Sequence, residues 1–320
     1  LGGIMKKITL GKTGFKVTEI CFGCLPFGPL QKNLPLEEAS DVLSYGLNMG
    51  INFIDTAQMY KTYAPIKLAL EGRKDKPVIA TKSAASTYKD MENAILEALE
   101  GMGIDYIDIF HMHSPKIGTD LFEIRKDALK CLLDYKKKGV VKAIGVSTHN
   151  VELVRMCAEK DYIDVVFPLI NISGRGLING SSQDMEKAIS LCEKNGKGIY
   201  LMKVLGGGTL IDEYEKSMEY ARNLNDNYAI AIGMVSKEEV KYNVNYFNGE
   251  RNLDGIISIR NRKNVAVVKV VCIGCGTCVE HCHSGAIKMQ DDKKSFIDQS
   301  KCIQCGYCIA ACPSFAIRMV

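Results

Sequence analysis

The sequence predicts an α/β chain: a (β/α)8 TIM barrel with an N-terminal hairpin, followed by a small C-terminal α+β domain. Three observations carry this. Short apolar runs alternate with amphipathic stretches over roughly residues 19–247. No glycine-rich phosphate loop follows the first run, which leads instead into Gly23-Cys24-Leu25-Pro26-Phe27-Gly28. Eight of the thirteen cysteines crowd between Cys272 and Cys312.

The elements follow in order. Lys6–Leu10 and Phe15–Val17, split by Gly11-Lys12-Thr13-Gly14, read as a hairpin. Strands are predicted at Glu19–Phe22, Asn52–Ile54, Pro77–Ala80, Ile107–Phe110, Lys142–Val146, Val165–Pro168, Ile199–Met202 and Ala229–Ile232. Helical patterns lie near 37–49, 64–72, 89–101, 120–138, 150–160, 182–195, 213–224 and 236–247. Eight β units, each followed by an α unit, point to a parallel sheet with crossover helices. The span matches the roughly 250 residues of a closed barrel. An open doubly wound sheet would place G-x-G-x-x-G after the first strand. The turn-rich run Asn248–Gly255 fits a linker. The expected organisation is a barrel over 1–250, a linker over 251–264 and a second domain over 265–320.

Composition narrows the function classes. A length of 320 residues suits about two domains. The net charge of +4 is too small to argue for nucleic acid or an anionic membrane surface. No apolar run approaches the roughly 18 residues of a spanning helix. No secretory signal is visible, and an odd cysteine count without one argues against a disulfide scaffold. The expectation is a cytoplasmic protein with metal or redox chemistry.

The cysteine runs read Cys272-x2-Cys275-x2-Cys278-x3-Cys282 and Cys302-x2-Cys305-x2-Cys308-x3-Cys312-Pro313. Zinc sites use two separated CxxC pairs, not CxxCxxC runs. The spacing is similar to that of bacterial two-cluster ferredoxins, in which the fourth cysteine of each run ligates the other cluster. The resemblance implies two [4Fe–4S] clusters: one on Cys272, Cys275, Cys278 and Cys312, the other on Cys302, Cys305, Cys308 and Cys282. His283 stands where that family usually has proline. Between Val268 and Val320 there are six Lys/Arg and four Asp/Glu, unlike the acidic, freely diffusing carriers. A fixed wire or docking site for a redox partner protein is the better expectation. The other five cysteines read as small buried hydrophobes.

In a barrel of this kind, function sits at the C-terminal ends of the strands. Polar residues gather there: Asp55 and Tyr60, Lys82, and His113. Ile54-Asp55-Thr56-Ala57-x-x-Tyr60, Ala80-Thr81-Lys82, Asp105–His113 and Ile144-Gly145-Val146-Ser147 resemble the aldo-keto reductase family over about residues 6–247. The resemblance implies a catalytic tetrad of Asp55, Tyr60, Lys82 and His113. Reducing a carbonyl puts hydride on carbon and a proton on the forming alkoxide. Tyr60 is the expected proton donor. A free phenol titrates near pH ~10, and a nearby cation favours the phenolate. Lys82 can supply that cation, Asp55 can hold Lys82, and His113 can hydrogen-bond the carbonyl oxygen. His111, two residues earlier on the same strand face, is expected to be a buried, hydrogen-bonded residue.

The family binds a nicotinamide dinucleotide across the barrel mouth. By resemblance, Ser147 falls at a carboxamide contact, Asn171 matches the family's asparagine after the sixth strand, and Met202 stands where a tyrosine often stacks on the nicotinamide. Lys203, Leu205, Gly206 and Gly208 fall in the loop over the pyrophosphate, and Ser236 and Asn243 on the adenine side. Departures are Thr148 for asparagine, Phe167 for glutamine and Glu239 for an arginine that meets the 2′-phosphate. Glu239 would repel that phosphate, which favours NAD(H) over NADP(H). Because a hydride carries two electrons and a cubane passes one at a time, a flavin is a further candidate, although no motif marks its site. The resulting expectation is an oxidoreductase acting on a small-molecule carbonyl or alcohol. The alternative is an electron-transfer or redox-sensing protein whose barrel binds a ligand without turnover.

Overall fold

A computed structural model describes residues 5–115, 117–250, 264–282, 285–302 and 307–319. The linker expected at 251–264 thus lies outside them except for its last residue, as do Cys305 and His283. Two short antiparallel strands open the chain, β1 (Lys7–Thr9) and β2 (Lys16–Thr18). Eight parallel strands then close a barrel: β3 (Ile20–Gly23), β4 (Phe53–Asp55), β5 (Val78–Ser83), β6 (Ile107–Ser114), β7 (Val141–Thr148), β8 (Val165–Pro168), β9 (Gly198–Leu201) and β10 (Ala229–Gly233). β10 pairs with both β9 and β3, so no edge remains.

The helices between the strands are α1 (Leu36–Asn48), α2 (Tyr63–Leu70), α3 (Tyr88–Met102), α4 (Leu121–Ile124), α5 (Lys126–Lys137), α6 (Val151–Ala158), α7 (Ser182–Lys194), α8 (Tyr214–Arg222) and α9 (Lys237–Phe247). The single helix expected over 120–138 is two, broken at Arg125, whose φ of −120° is not helical. The starts are set by local chemistry. The side chains of Thr87, Asn150, Ser181 and Ser236 each accept a backbone N–H at the N-terminus of α3, α6, α7 and α9.

Two cores result. One lies between the strands and the helix ring. The other fills the barrel, where Phe53, Ala80, Ile109, Ala143, Val165, Phe167 and Tyr200 meet. The hairpin contributes Ile8, Leu10 and Val17 to that inner core, so it plugs the lower end of the barrel. The plug is close-fitting: a Cβ on Gly11 would lie 2.2 Å from the Gly198 nitrogen. With the bottom sealed, the upper end is the open face.

The second unit is small. β11 (Val265–Val267) pairs antiparallel with β14 (Ile317–Met319), and β12 (Ile287–Met289) with β13 (Ser295–Ile297). Two short helices, α10 (Thr277–Glu280) and α11 (Tyr307–Ala311), each carry the third cysteine of a run. Its core is mostly cysteine and isoleucine. So little apolar material leaves stability to be supplied by bound metal.

Candidate active site and cluster sites

β4, β5 and β6 bring the four expected catalytic residues to one mouth. β5 runs on to Ser83 and β6 to Ser114, so Lys82 and His113 lie within strands rather than after them. The Lys82 nitrogen donates to both oxygens of Asp55, at 2.8 and 2.7 Å, and to the Thr56 carbonyl at 2.7 Å. An ammonium has three protons, and all three are engaged. Lys82 acts on Tyr60 mainly through charge, with a weaker side-chain hydrogen bond, its nitrogen 4.9 Å from the phenol ring centroid. Tyr60 ends a short turn at Gln58–Tyr60 and meets His113 edge-on, ring centroids 6.3 Å apart.

The electrostatics follow from burial. Burial, the largest single influence, would drive Lys82 down, but Asp55, with smaller contributions from Tyr60 and Cys21, holds the ammonium above its ordinary value. For Tyr60 the balance is the reverse of the sequence expectation. Burial pushes the phenol up by more than Lys82 and Arg318 pull it down, so Tyr60 stays protonated at neutral pH. Burial, then Lys82, Arg125, Lys203 and Arg318, push His113 well below the usual histidine range. It is neutral and keeps one N–H to donate.

A residue missed in the sequence sits below. The Tyr200 hydroxyl lies 2.9 Å from Asp55 Oδ1 and 2.7 Å from His111 Nε2. Asp55 can only accept, so the hydroxyl proton goes to it and His111 donates from Nε2. His111 is thus the buried, hydrogen-bonded residue expected. Its ring fits because β7 carries glycine alongside: a Cβ on Gly145 would lie 2.2 Å from His111 Nδ1. Phe167 stacks on Tyr200 at 3.8 Å between centroids and closes the floor. The signal for Tyr200 was its place on an inward-facing strand position.

The residues assigned to a dinucleotide divide. Ser147 Oγ is buried without a partner, which suits a carboxamide contact. Met202 lies at the rim, bridged to Leu169. The Asn171 side chain is engaged in its own loop, donating to the Arg175 carbonyl and accepting from Arg175 N and Ser173 Oγ. Asn243 accepts from the Tyr214 hydroxyl and donates to the Glu239 carbonyl. Ser236 accepts from Glu239 N as a helix cap. The loop after Leu205, with Gly206 and Gly208 in it, packs against β14 of the second unit. The nicotinamide end fits; the pyrophosphate and adenine ends do not in this arrangement.

The second unit caps the mouth. Phe315, between Cys312 and β14, lies under the Lys203 ammonium at 4.5 Å from its ring centroid. Cys312 and Tyr60 both act electrostatically on Arg318.

The described thiols of the two runs, apart from the exposed Cys275, lie in one small core. Cys278 interacts electrostatically with Cys312 first, then Cys272 and Cys275. That is the crossed set, with one member from the other run. Burial works against a thiolate at Cys272, yet donors on Ser295 and Gly274 leave its thiol below the ordinary value. Thr277 lowers Cys275 in the same way. The two fourth cysteines match: Ala286 N donates to Cys282 Sγ at 3.2 Å and Ala316 N to Cys312 Sγ at 3.3 Å. Such N–H···S bonds tune cluster potentials. Cys302 and Cys308 join the same small core. Among the described residues no group of three His, Cys, Asp or Glu side chains closes on a single ion. Burial raises the thiols of Cys21, Cys24 and Cys157 well above the ordinary range, so they are unreactive.

A sealed parallel barrel with a buried ion pair beside a half-buried tyrosine at its mouth, joined to a cysteine-rich unit, defines an oxidoreductase class of barrel with an iron–sulfur appendage. The chain belongs to the aldo/keto reductase family, whose members match it over residues 19–230, and residues 271–319 match a 4Fe-4S dicluster domain. Methylglyoxal reductase DkgA of Escherichia coli (strain K12) is 27% identical over 190 residues, covering 57% of this chain and 67% of the relative. L-galactose dehydrogenase of Arabidopsis thaliana is 24% identical over 218 residues, covering 64% of this chain and 66% of the relative. The chain thus spans about two thirds of the length of these relatives. Among solved structures, the holo form of aldo-keto reductase AKR11C1 from Bacillus halodurans superposes with a TM-score of 0.63 at 18% identity, covering 80% of this chain and 96% of the other. That likeness is one of fold. No helix among the described residues is long and apolar enough to cross a membrane.

Proposed function

We propose that this chain interconverts a small-molecule carbonyl and its alcohol at the barrel mouth. The observation that carries the reading is the Lys82 ammonium, held by Asp55 at 2.7 Å and set 4.9 Å from the Tyr60 ring. Tyr60 gives the proton from its phenol oxygen to the forming alkoxide. The phenolate left behind is stabilised by Lys82, whose position is fixed by Asp55 and, through Asp55, by Tyr200. Neutral His113 donates a hydrogen bond to the carbonyl oxygen and orients it. Phe167 and the capping unit keep water away, which strengthens each of these interactions. A nicotinamide dinucleotide, NAD(H) before NADP(H), would supply the hydride when bound, with Ser147 against its carboxamide.

The two clusters would exchange single electrons with a redox partner protein, and passing them on to the mouth would need a two-electron carrier such as a flavin. The proximity of Cys312, Arg318 and Tyr60 favours this over a purely structural role. A second reading, electron transfer or sensing with a ligand held in the barrel and no turnover, is favoured by one observation: the expected adenine-side residues are engaged and β14 packs on the glycine loop. Tyr60→Phe separates the two readings. In protein reconstituted with iron and sulfide, it should abolish carbonyl reduction and leave the iron content unchanged. Absence of carbonyl reduction in the unsubstituted protein, with reversible cluster reduction, favours the second reading.

A further inference from the structure

Three cations besides Lys82, namely Arg125, Lys203 and Arg318, act on His113 beside the candidate proton donor. Lys82 is matched by Asp55. Arg125 is not: its Nη1 donates to the His113 carbonyl at 2.9 Å and to Ser114 Oγ at 3.4 Å. Lys203 sits in a left-handed backbone conformation, φ 57°, with its ammonium over Phe315. Arg318 enters from β14 of the second unit. Its Nε reaches the Phe315 carbonyl at 3.4 Å, while its Nη1 is buried with no partner. Among the described residues, none of the three makes an ion pair. Each opposes protonation of His113, so all act on the same space.

Crowding like charges in a half-buried site is unfavourable unless an anion joins them. The arginine fork matches a carboxylate with two parallel hydrogen bonds. A dinucleotide pyrophosphate is the other anion to consider. It would lie along Gly206–Gly208, the loop that β14 already packs against. Arg318 instead acts electrostatically on Tyr60. We infer that Arg318 and Lys203, with Arg125 behind His113, form a carboxylate subsite beside Tyr60, so that the substrate is a small oxo acid or hydroxy acid and the iron–sulfur unit completes its binding site. The inference deepens the reading of Tyr60 as proton donor and rests on it for the word substrate; the subsite itself is tested by binding alone.

The test uses the full chain with its clusters reconstituted under anaerobic conditions. Oxalate, a stable mimic of a 2-oxo acid, is titrated by calorimetry into the unsubstituted protein, Arg318→Gln and Lys203→Met. Neutral hydroxyacetone and NADH are titrated in parallel, and iron content is followed throughout. Oxalate should bind, and each substitution should weaken it about 10–100-fold, the range for hydrogen bonds to a charged group. Hydroxyacetone affinity should stay unchanged. Should Arg318→Gln lose its clusters, Lys203→Met, altered from the barrel side, decides. No oxalate binding by the unsubstituted protein, or binding by the variants within twofold of it, overturns the inference. So does a loss that falls on NADH and spares oxalate, since the anion held is then the cofactor phosphate. A chain that binds oxalate through Arg318 but never turns over a carbonyl keeps the subsite and removes the reading of Tyr60. One that reduces neutral ketones and ignores oxalate does the reverse.

Discussion

Phe315 of the iron–sulfur unit stands edge-on to His149 of the barrel, ring centroids 5.1 Å apart and planes at 78°. The socket that receives it depends on Gly176, where a Cβ would lie 2.6 Å from the Phe315 ring and the backbone has φ +92°. Gly176→Ala should therefore loosen the cap and lower stability by about 1–3 kcal/mol, as overpacking does. Gly207→Ala is the control. It shares a positive φ of +70° but meets nothing within 4 Å, and should cost about 1 kcal/mol. Denaturant unfolding of the two variants measures the difference; equal losses would mean that the Phe315 contact contributes nothing.

Tyr200→Phe removes the hydroxyl that joins Asp55 to His111. A buried imidazole N–H is then left without its acceptor. The expected loss is about 1–3 kcal/mol in the unfolding free energy. A change below about 0.5 kcal/mol, the scale of an inconsequential substitution, would show that this network is not coupled to the fold.

Lys203 makes binding depend on pH. Burial, with Arg318 beside it, lowers the ammonium to about 7. The neighbouring groups do not titrate there: Arg318 remains charged, His113 is neutral and Tyr60 protonated. Oxalate affinity should fall as pH rises through about 7, because Lys203 then loses its charge. Stability without ligand moves the other way. The unfolded lysine keeps its proton to its ordinary value, so the unfolded chain binds more protons above about 7 and stability rises with pH from there. Lys203→Met should flatten both profiles; an unchanged binding profile would place the titration elsewhere.

Cys312 belongs to the second cysteine run yet groups with Cys272, Cys275 and Cys278 of the first. Cys312→Ala should cost one cluster, roughly half of the iron, because each cubane needs its fourth ligand from the other run. Iron and sulfide assays after reconstitution give the count, and full occupancy would contradict the crossed assignment.

The barrel was legible because its strands sit in short apolar runs flanked by turns, and four of its helices carry a capping side chain. Thr87, Asn150, Ser181 and Ser236 mark starts within two residues of those expected. Arg125 broke one predicted helix in two, since nothing in its side chain signals a non-helical φ. The gathering of Asp55, Tyr60, Lys82 and His113 at one mouth, and the cysteine runs, were legible because such residue types recur at fixed spacings. The rest depends on contacts between parts far apart in the chain. Tyr200 acts on residues 145 and 89 positions away. The direction of the Tyr60 shift was misjudged because the charge of Lys82 could be read from the sequence and the depth of burial could not. Arg318 and Phe315 reach the site only because the second unit docks on the mouth, and no local pattern encodes that.

The most direct measurement is single-turnover carbonyl reduction by the reconstituted Tyr60→Phe chain under anaerobic conditions, set against the unsubstituted protein. With the proton donor gone, the rate should fall by about 10²–10⁴-fold, while iron content and oxalate affinity remain as they were. A rate within tenfold of the unsubstituted protein would contradict the assignment of Tyr60 and the proposed mechanism with it.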